Sequence, residues 1–249
     1  MHRFFYPQIT SSLKEITITE SSEIHHIKDV LHLKKNSSIE LFTGKGVWAK
    51  AKISSIAPKK ISVIITAIGD TPPRTPKIIL GCAIPKKGKF ELIIEKATEL
   101  GVDEIIPLKT ERTEVKLTGE RSVKKNSRFQ TVALNAAKQC QSSFIPAIHF
   151  LTPLSTAIKD LKKRDITIII PSLEGKTIPL VEALTNHKKI KKIAFLIGPE
   201  GDFSDEEYQF VRQEGGIPVS LGPNVLKVET AAITVLAAAN LVLRPHEKN

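Results

Sequence analysis

The stretch KIAFLIGPEGDFSDEE, Lys192 to Glu207, decides the fold. An apolar run ends at Gly198-Pro199, which reads as a buried strand closed by a turn. Ser204-Asp205-Glu206-Glu207 fits a capping box and opens a helix over Asp205 to Glu214. Strand, Gly-Pro loop and helix recur at once: Ile217 to Leu221 runs into Gly222-Pro223-Asn224, and a last helix starts near Glu229.

Working outward, the same alternation extends back to Lys77. A strand at Lys77 to Ile84 is followed by a helix at Lys89 to Leu100, closed by Gly101, and a strand at Glu104 to Leu108. A long helix then runs to about Gln141, with a strand at Ile166 to Ile170 and a helix at Ile178 to Leu184 beyond it. Alternating strands and helices predict an α/β domain with a largely parallel sheet. In such a sheet ligands bind beyond the carboxyl ends of the strands, where the two Gly-Pro loops would form a rigid cradle. The same loops also suit two ordinary strand-to-helix turns.

Upstream the pattern changes. Gly69 to Pro76, GDTPPRTP, reads as a linker, and the boundary is set near Pro72, giving domains 1–72 and 73–249. Strand-like runs at Glu15 to Thr19, Ser38 to Thr43, Val47 to Ile56 and Lys60 to Ile68, with one helix at Ser22 to Leu33, predict a small β-barrel.

The 249 residues include 37 Lys+Arg and 26 Asp+Glu, a net charge of +11 that favours an anionic partner. Residues 1–72 carry +4 and residues 73–193 carry +11, whereas 194–249 carry −4. The polyanion therefore belongs with the first three quarters of the chain. Its densest basic stretch, Lys109 to Arg128, suits phosphate contacts, and a solvated loop is the plainer account of any one of its lysines.

The longest apolar stretch, Ala231 to Leu243, is 13 residues with Thr234 and Asn240 inside it. That is short of the roughly 20 needed to span a bilayer, so no membrane partner is expected. The opening MHRFFYPQIT has no apolar core of an export signal, which makes the cytoplasm the expected compartment. Cys82 and Cys140 are too few for a zinc knuckle. His25, Asp29 and His32 share a predicted helix face without a further ligand, so no metal is expected.

Neither a Gly-rich dinucleotide fingerprint nor a Walker loop occurs. Glu200, Asp202 and the three acids after Ser204 would repel a pyrophosphate at that helix start. A phosphate-free adenosine cofactor with a positive centre would tolerate them, and S-adenosylmethionine is such a molecule.

Four ordered motifs, KKGKFELIIEKATELGV from Lys86, TERTEVKL from Thr110, FLIGPEGDFSDEE from Phe195 and LGPNVLKVETAA from Leu221, resemble the ribosomal RNA small-subunit methyltransferase E family. MHRFF and HHIKDVLHLK resemble that family's opening segment, so the likeness covers nearly the whole chain. The resemblance implies a SPOUT-type, trefoil-knotted parallel-sheet methyltransferase domain behind a PUA-like β-barrel, acting as a homodimer. It further implies S-adenosylmethionine as cofactor and small-subunit ribosomal RNA, free or in the assembled subunit, as partner. The methyl acceptor would be N3 of one uridine in the decoding region.

Carried over by residue, the resemblance implies a cofactor cradle of Leu196, Gly198, Pro199, Glu200, Gly201, Leu221, Gly222, Pro223 and Leu226, closed by Ile170 and Pro171. RNA contacts would fall on Arg3, Lys86, Lys87, Lys89, Arg112 and Lys116. The chain departs from the family pattern where it has His32, Ser142, Asn224 and Lys227 in place of arginines, and Asp202 in place of a glycine. Lysine keeps the charge without the bidentate fork, whereas Ser and Asn lose both.

Among the catalytic candidates, Arg112 and Lys227 would stabilise the anion on the base as its proton leaves. Glu200 would accept hydrogen bonds from cofactor or base, and Glu229, at a helix start, reads as a cap. Two other readings fit the same charge map: a non-catalytic RNA-binding assembly factor, and a SPOUT methyltransferase with a different RNA target.

Overall fold

The computed structural model describes residues 1–86, 88–114, 119–173, 175–187 and 189–244. Among them the chain divides into two compact units. The first comprises Met1–Pro73 and Ala137–Ile145, the second Arg74–Ala136 and Pro146–Asn249.

In the first unit, β1 (His2–Phe5), β2 (Glu15–Ile18), β3 (Ser38–Phe42), β4 (Val47–Ala57) and β5 (Lys60–Asp70) form a five-stranded sheet in the order β1-β3-β4-β5-β2. β4 and β5 pair antiparallel with two register shifts, and such irregularities bend a sheet. Phe4, Ile39, Leu41, Ile53, Ile61 and Val63 are fully buried beneath it. β1, which the sequence reading passed over, pairs in parallel with β3. The expected helix at 22–33 is shorter: α1 (Ser21–His25) passes into a single wide turn at His26–Val30. His32 lies past it with φ 50°, so it does not share a helical face with His25, which pairs instead with Asp29.

A single boundary near Pro72 does not describe this unit, because residues 137–145 return to it. The reason is a set of polar bonds: the Gly46 amide donates to Ser143 O, and the Ser143 hydroxyl accepts from Arg3 (2.9 Å) and Thr71 (3.0 Å). Ile145 also lies so close to Gly44 that a Cβ there would meet it at 2.6 Å.

The second unit contains β6 (Lys77–Ala83), α2 (Phe90–Glu99), β7 (Glu104–Lys109), most of α3 (Gly119–Gln139), β8 (Ala147–Ile148), β9 (Thr152–Pro153) and α4 (Leu154–Lys163). It continues with β10 (Thr167–Pro171), β11 (Ile178–Pro179), α5 (Leu180–Asn186), β12 (Lys192–Ile197), α6 (Asp205–Gln213), β13 (Ile217–Ser220) and α7 (Val228–Leu243). Its strands form a parallel sheet in the order β11-β13-β10-β12-β6-β7-β8, with β9 also on β7. Both faces are covered, which is why β6, β10 and β12 read as nearly unbroken apolar runs.

Strand alternation sorts the side chains. Ile79, Ile168, Ile170, Ala194 and Leu196 join Leu154, Ile158 and Leu161 of α4 and Tyr208 and Val211 of α6 in one core. The alternate positions lie towards α7, which contacts β6, β12, α2 and α5. α7 ends in an anchor: the Arg244 guanidinium donates to Pro76 O and Gly101 O and pairs with Asp103 at 2.6 Å.

A half-buried charge cluster sits at the start of β7. Glu104 pairs with Arg164 at 2.6 Å and His149 at 3.2 Å, and the His149 bond, with Arg164 behind it, holds its carboxyl down at about 2. A carboxyl so lowered contributes stability that is complete above its ordinary range and is lost as pH falls through the folded value. Stability of the wild type should therefore decline by about 2 kcal/mol more than that of Glu104→Gln as pH drops from about 4.5 to about 2. Urea denaturation across that window checks this, and parallel curves would contradict it.

Candidate active site

The carboxyl ends of β10, β12 and β13 open onto a cavity of about 590 Å³. Its walls are residues 198–200 with Asp202, the loop 220–227, Pro171 to Leu173, Thr177, Tyr208 and the first turn of α7. Gly198, Pro199, Glu200, Leu221, Gly222, Pro223, Leu226 and Pro171 all line it, as does Lys227, the residue preceding α7.

Three predicted cradle residues lie elsewhere. Ile170 and Leu196 point to the opposite face of their strands and are buried among α4 and α6, because residues one apart in a strand face opposite ways. Gly201 lines a second, smaller cavity instead, of about 280 Å³, together with Ile84, Lys86, Arg112, Glu114, Pro199 and Glu200. Pro199 and Glu200 belong to both cavities and form the wall between them.

The loop carrying that wall is held at each step. Glu200 Oε1 accepts from the Lys86 amide at 2.8 Å, and Arg112 Nη1 donates to Gly201 O at 2.8 Å and Phe203 O at 3.3 Å. Asp202 adopts φ 61°, in the left-handed region where Asp is among the best tolerated residues after Gly. Its Oδ1 accepts from the Tyr208 hydroxyl and the Phe203 amide, both at 2.8 Å. Burial beside this carboxylate pushes the Tyr208 phenol up, so it remains a donor at any working pH. Asp202 thus occupies a glycine-like conformation and adds two bonds that glycine lacks. The capping box forms as read, with Ser204 Oγ accepting from the Glu207 amide, and Glu207 also receives the Glu111 amide at 2.9 Å.

Charge in the larger cavity is balanced mainly by one pair. Lys89 meets Glu229 at 2.6 Å, and this hydrogen bond holds the Glu229 carboxyl below the usual range. Glu229 is therefore the partner of a lysine and also accepts from its own amide in the first turn of α7, as a helix-start acid does, and it is a poor proton acceptor. Lys89, expected at RNA, is committed to that pair.

The remaining RNA candidates separate. Arg3 is 7 % exposed, pairs with Glu40 at 2.8 Å and lies 4.6 Å from the Phe42 ring centre, so it is an interior residue of the first unit. It lies buried because β1, absent from the sequence reading, carries it into the sheet. Lys86 is exposed and pairs with Glu114 at 2.7 Å, which raises its pKa. Lys87 and Lys116 lie outside the described residues. Sequence reasoning missed Tyr208, Ser220 and Thr177 as cavity residues. Tyr208 was detectable, since it lies four residues after the cap Ser204 and turns back toward the strand ends.

The fit to S-adenosylmethionine can be judged on these walls. The volume lies within the range of small-molecule sites, the lining is mainly apolar, and the carboxylates of Glu200 and Asp202 suit a cation. The residues present fit that group.

Known proteins define the class. A family model described as an RNA methyltransferase domain matches residues 72–240, more than half of the chain, and one described as an RNA methyltransferase PUA domain matches residues 18–66. The chain is thus an RNA methyltransferase domain joined to a PUA domain. A Rickettsia conorii protein named ribosomal RNA small subunit methyltransferase E is 30% identical over 239 residues, covering 94% of each chain, and its Bacillus subtilis namesake is 27% identical over 245 residues, covering 96% of this chain and 95% of that one. The structure of the Neisseria gonorrhoeae namesake bound to S-adenosylmethionine superposes with a TM-score of 0.87 at 26% identity, covering 97% of both chains. A Legionella pneumophila structure with bound cofactor SAM gives 0.84 at 30% identity, covering 96% of this chain and 97% of that one. The chain belongs to the ribosomal RNA small-subunit methyltransferase E family.

Asp202 and Tyr208 generate a prediction at this site. Tyr208→Phe removes one buried donor and should cost about 1 kcal/mol of stability, whereas Asp202→Ala loses two bonds and strains φ 61°, costing about 2–3 kcal/mol. Thermal denaturation of both variants checks the order, and an Asp202→Ala protein more stable than Tyr208→Phe would contradict it.

Proposed function

We propose that this protein transfers a methyl group from S-adenosylmethionine to N3 of a uridine in small-subunit ribosomal RNA. The observation that carries the reading is the apolar, carboxylate-lined cavity at the strand ends, separated by the Pro199-Glu200 wall from a smaller cavity that holds Lys86 and Arg112. An assembly factor without catalysis has no need of that paired arrangement. The coarser activity, S-adenosylmethionine-dependent methylation of ribosomal RNA, follows from the family. Uridine N3 as acceptor, one site in the decoding region, the knotted crossing, the PUA-like unit as an RNA-binding module and a cytoplasmic setting come with the resemblance and belong to this proposal. Among the described residues no helix is long and apolar enough to cross a membrane.

When bound, the cofactor supplies an electrophilic methyl on a sulfonium. The chain's own residues do the rest by position, which is the larger part of such a displacement. The two Gly-Pro loops hold the donor, and the carboxylates of Glu200 and Asp202 favour its charge. Arg112 pins the loop through Gly201 O and Phe203 O and lines the smaller cavity, where its charge stabilises negative oxygen on the base. Lys227, exposed at the mouth of the larger cavity, attracts the RNA backbone.

Homodimerisation is part of the same reading. α7 shows Leu241, 77 % exposed, on the face that also carries Thr234 and Ala237, an apolar surface suited to a second copy. Leu241→Asp should reduce the mass seen by light scattering from twice the chain to one, and a monomeric wild type would contradict the dimer.

The function is tested by incubating the protein with labelled S-adenosylmethionine and small subunits that lack the modification, then digesting the RNA. Labelled 3-methyluridine is expected, and binding without transfer would favour the assembly factor. Arg112→Ala should lower single-turnover transfer by about a hundredfold while cofactor affinity stays within about threefold. An unchanged rate would remove Arg112 from the mechanism.

A further inference from the structure

We propose that the smaller cavity is the acceptor site and takes a single uracil turned out of the RNA, reading its imide edge through Lys86, Glu200 and Arg112. This rests on the uridine-N3 reading and names the place where the acceptor binds.

Three observations converge on it. The first is adjacency. Methyl transfer needs donor and acceptor atoms about 3–3.5 Å apart, so the acceptor must enter space contiguous with the larger cavity. The smaller cavity shares Pro199 and Glu200 with it. The second is size. At about 280 Å³ it sits at the lower end of ligand sites, suited to one nucleobase and too small for stacked neighbours. Enzymes that modify a base inside RNA or DNA extrude it into such a pocket.

The third is hydrogen-bond order. The imide edge of uracil presents acceptor, donor, acceptor at O4, N3–H and O2. The lining supplies matching groups, the cations Lys86 and Arg112 and the carboxylate Glu200, with a second carboxylate, Glu114, paired to Lys86. Glu200 Oε1 is taken by the Lys86 amide, and among the described residues Oε2 meets no hydrogen-bond partner. Arg112 engages the loop carbonyls through Nη1, and among the described residues its other guanidinium nitrogens meet no hydrogen-bond partner, which leaves the rest of its fork to the base. The Lys86–Glu114 pair is more than half exposed on both sides, so it is weak and opens readily. Cytosine, with an acceptor at N3 and a donor at N4, would set its N3 lone pair against the Glu200 carboxylate. In this arrangement Glu200 takes the N3 proton and passes it to solvent as the N3–C bond forms and the C–S bond breaks, the sulfonium leaving as a neutral thioether.

Gly201 offers a way to fill one cavity and spare the other. It lines the smaller cavity alone, and a Cβ there meets only Arg112 at ordinary contact distance, 3.6 Å. Gly201→Leu should bind S-adenosylmethionine within about threefold of wild type by calorimetry while single-turnover methylation of unmodified small subunits falls by at least about a hundredfold. Glu200→Gln, isosteric and on an exposed side chain, should weaken cofactor binding and, at saturating cofactor and saturating subunits, still lose about a hundredfold in rate, with a flattened pH profile. Uridine methylation by Gly201→Leu within about threefold of wild type overturns the cavity assignment alone. Should Gly201→Leu fail to fold, Glu200→Gln decides, and a loss confined to cofactor affinity overturns the proposal. A wild type that methylates a different nucleoside, again blocked by Gly201→Leu, overturns the uracil assignment together with the uridine reading.

Discussion

The six residues from Gly198 to Phe203 are fastened by bonds from three separate elements, and the division of the site into two cavities depends on that fastening. Arg112, after β7, holds the carbonyls of Gly201 and Phe203; the Lys86 amide, after β6, holds Glu200; Tyr208, on α6, holds Asp202. Each of these groups follows or faces the carboxyl end of a neighbouring strand in one parallel sheet, so the sheet order itself brings them together. A loop held this way loses little freedom when a ligand arrives, which is the condition for aligning donor and acceptor. Gly198 completes the fit, since a Cβ there would press on Asp202 and Phe203 at 3.1–3.2 Å.

Electrostatics divides the labour along the chain. The positive excess lies in residues 1–193, whereas the quarter that builds most of the larger cavity is net acidic. Within that cavity one lysine offsets one carboxylate, Lys89 with Glu229, and Glu200 and Asp202 add a negative lining. Several basic residues that composition assigns to RNA are paired with carboxylates of the protein: Arg3, in the interior, with Glu40, and Lys125 and Arg128, at the surface, with Glu91. Net charge therefore overstates the surface free to meet phosphate.

Much of the second unit was legible because a covered parallel sheet writes itself as apolar runs separated by capped helices. Lys192–Ile197 and the Ser204 capping box match their reading to the residue. α4 was missed although Leu154, Ala157, Ile158 and Leu161 have helical spacing, because no capping side chain announces it and Pro153 precedes it. β1 was missed because a four-residue strand with Arg3 inside carries no period of its own, and it is stabilised by parallel pairing to a strand more than 30 residues away. At the site, backbone-determined features such as the Gly-Pro loops could be read, whereas Ile170 and Leu196 could not be excluded until strand register fixed their facing. The Lys89–Glu229 pair, 140 residues apart, has no local signal.

The central claim is that two adjoining cavities, sharing the Pro199-Glu200 wall, hold donor and acceptor. A crystal structure of the protein with S-adenosylmethionine tests it most directly. The account predicts the cofactor in the 590 Å³ cavity with its methyl directed at that wall and the smaller cavity still open beside it. A cofactor seated with its methyl turned away from Glu200, or extending into the smaller cavity, would contradict it.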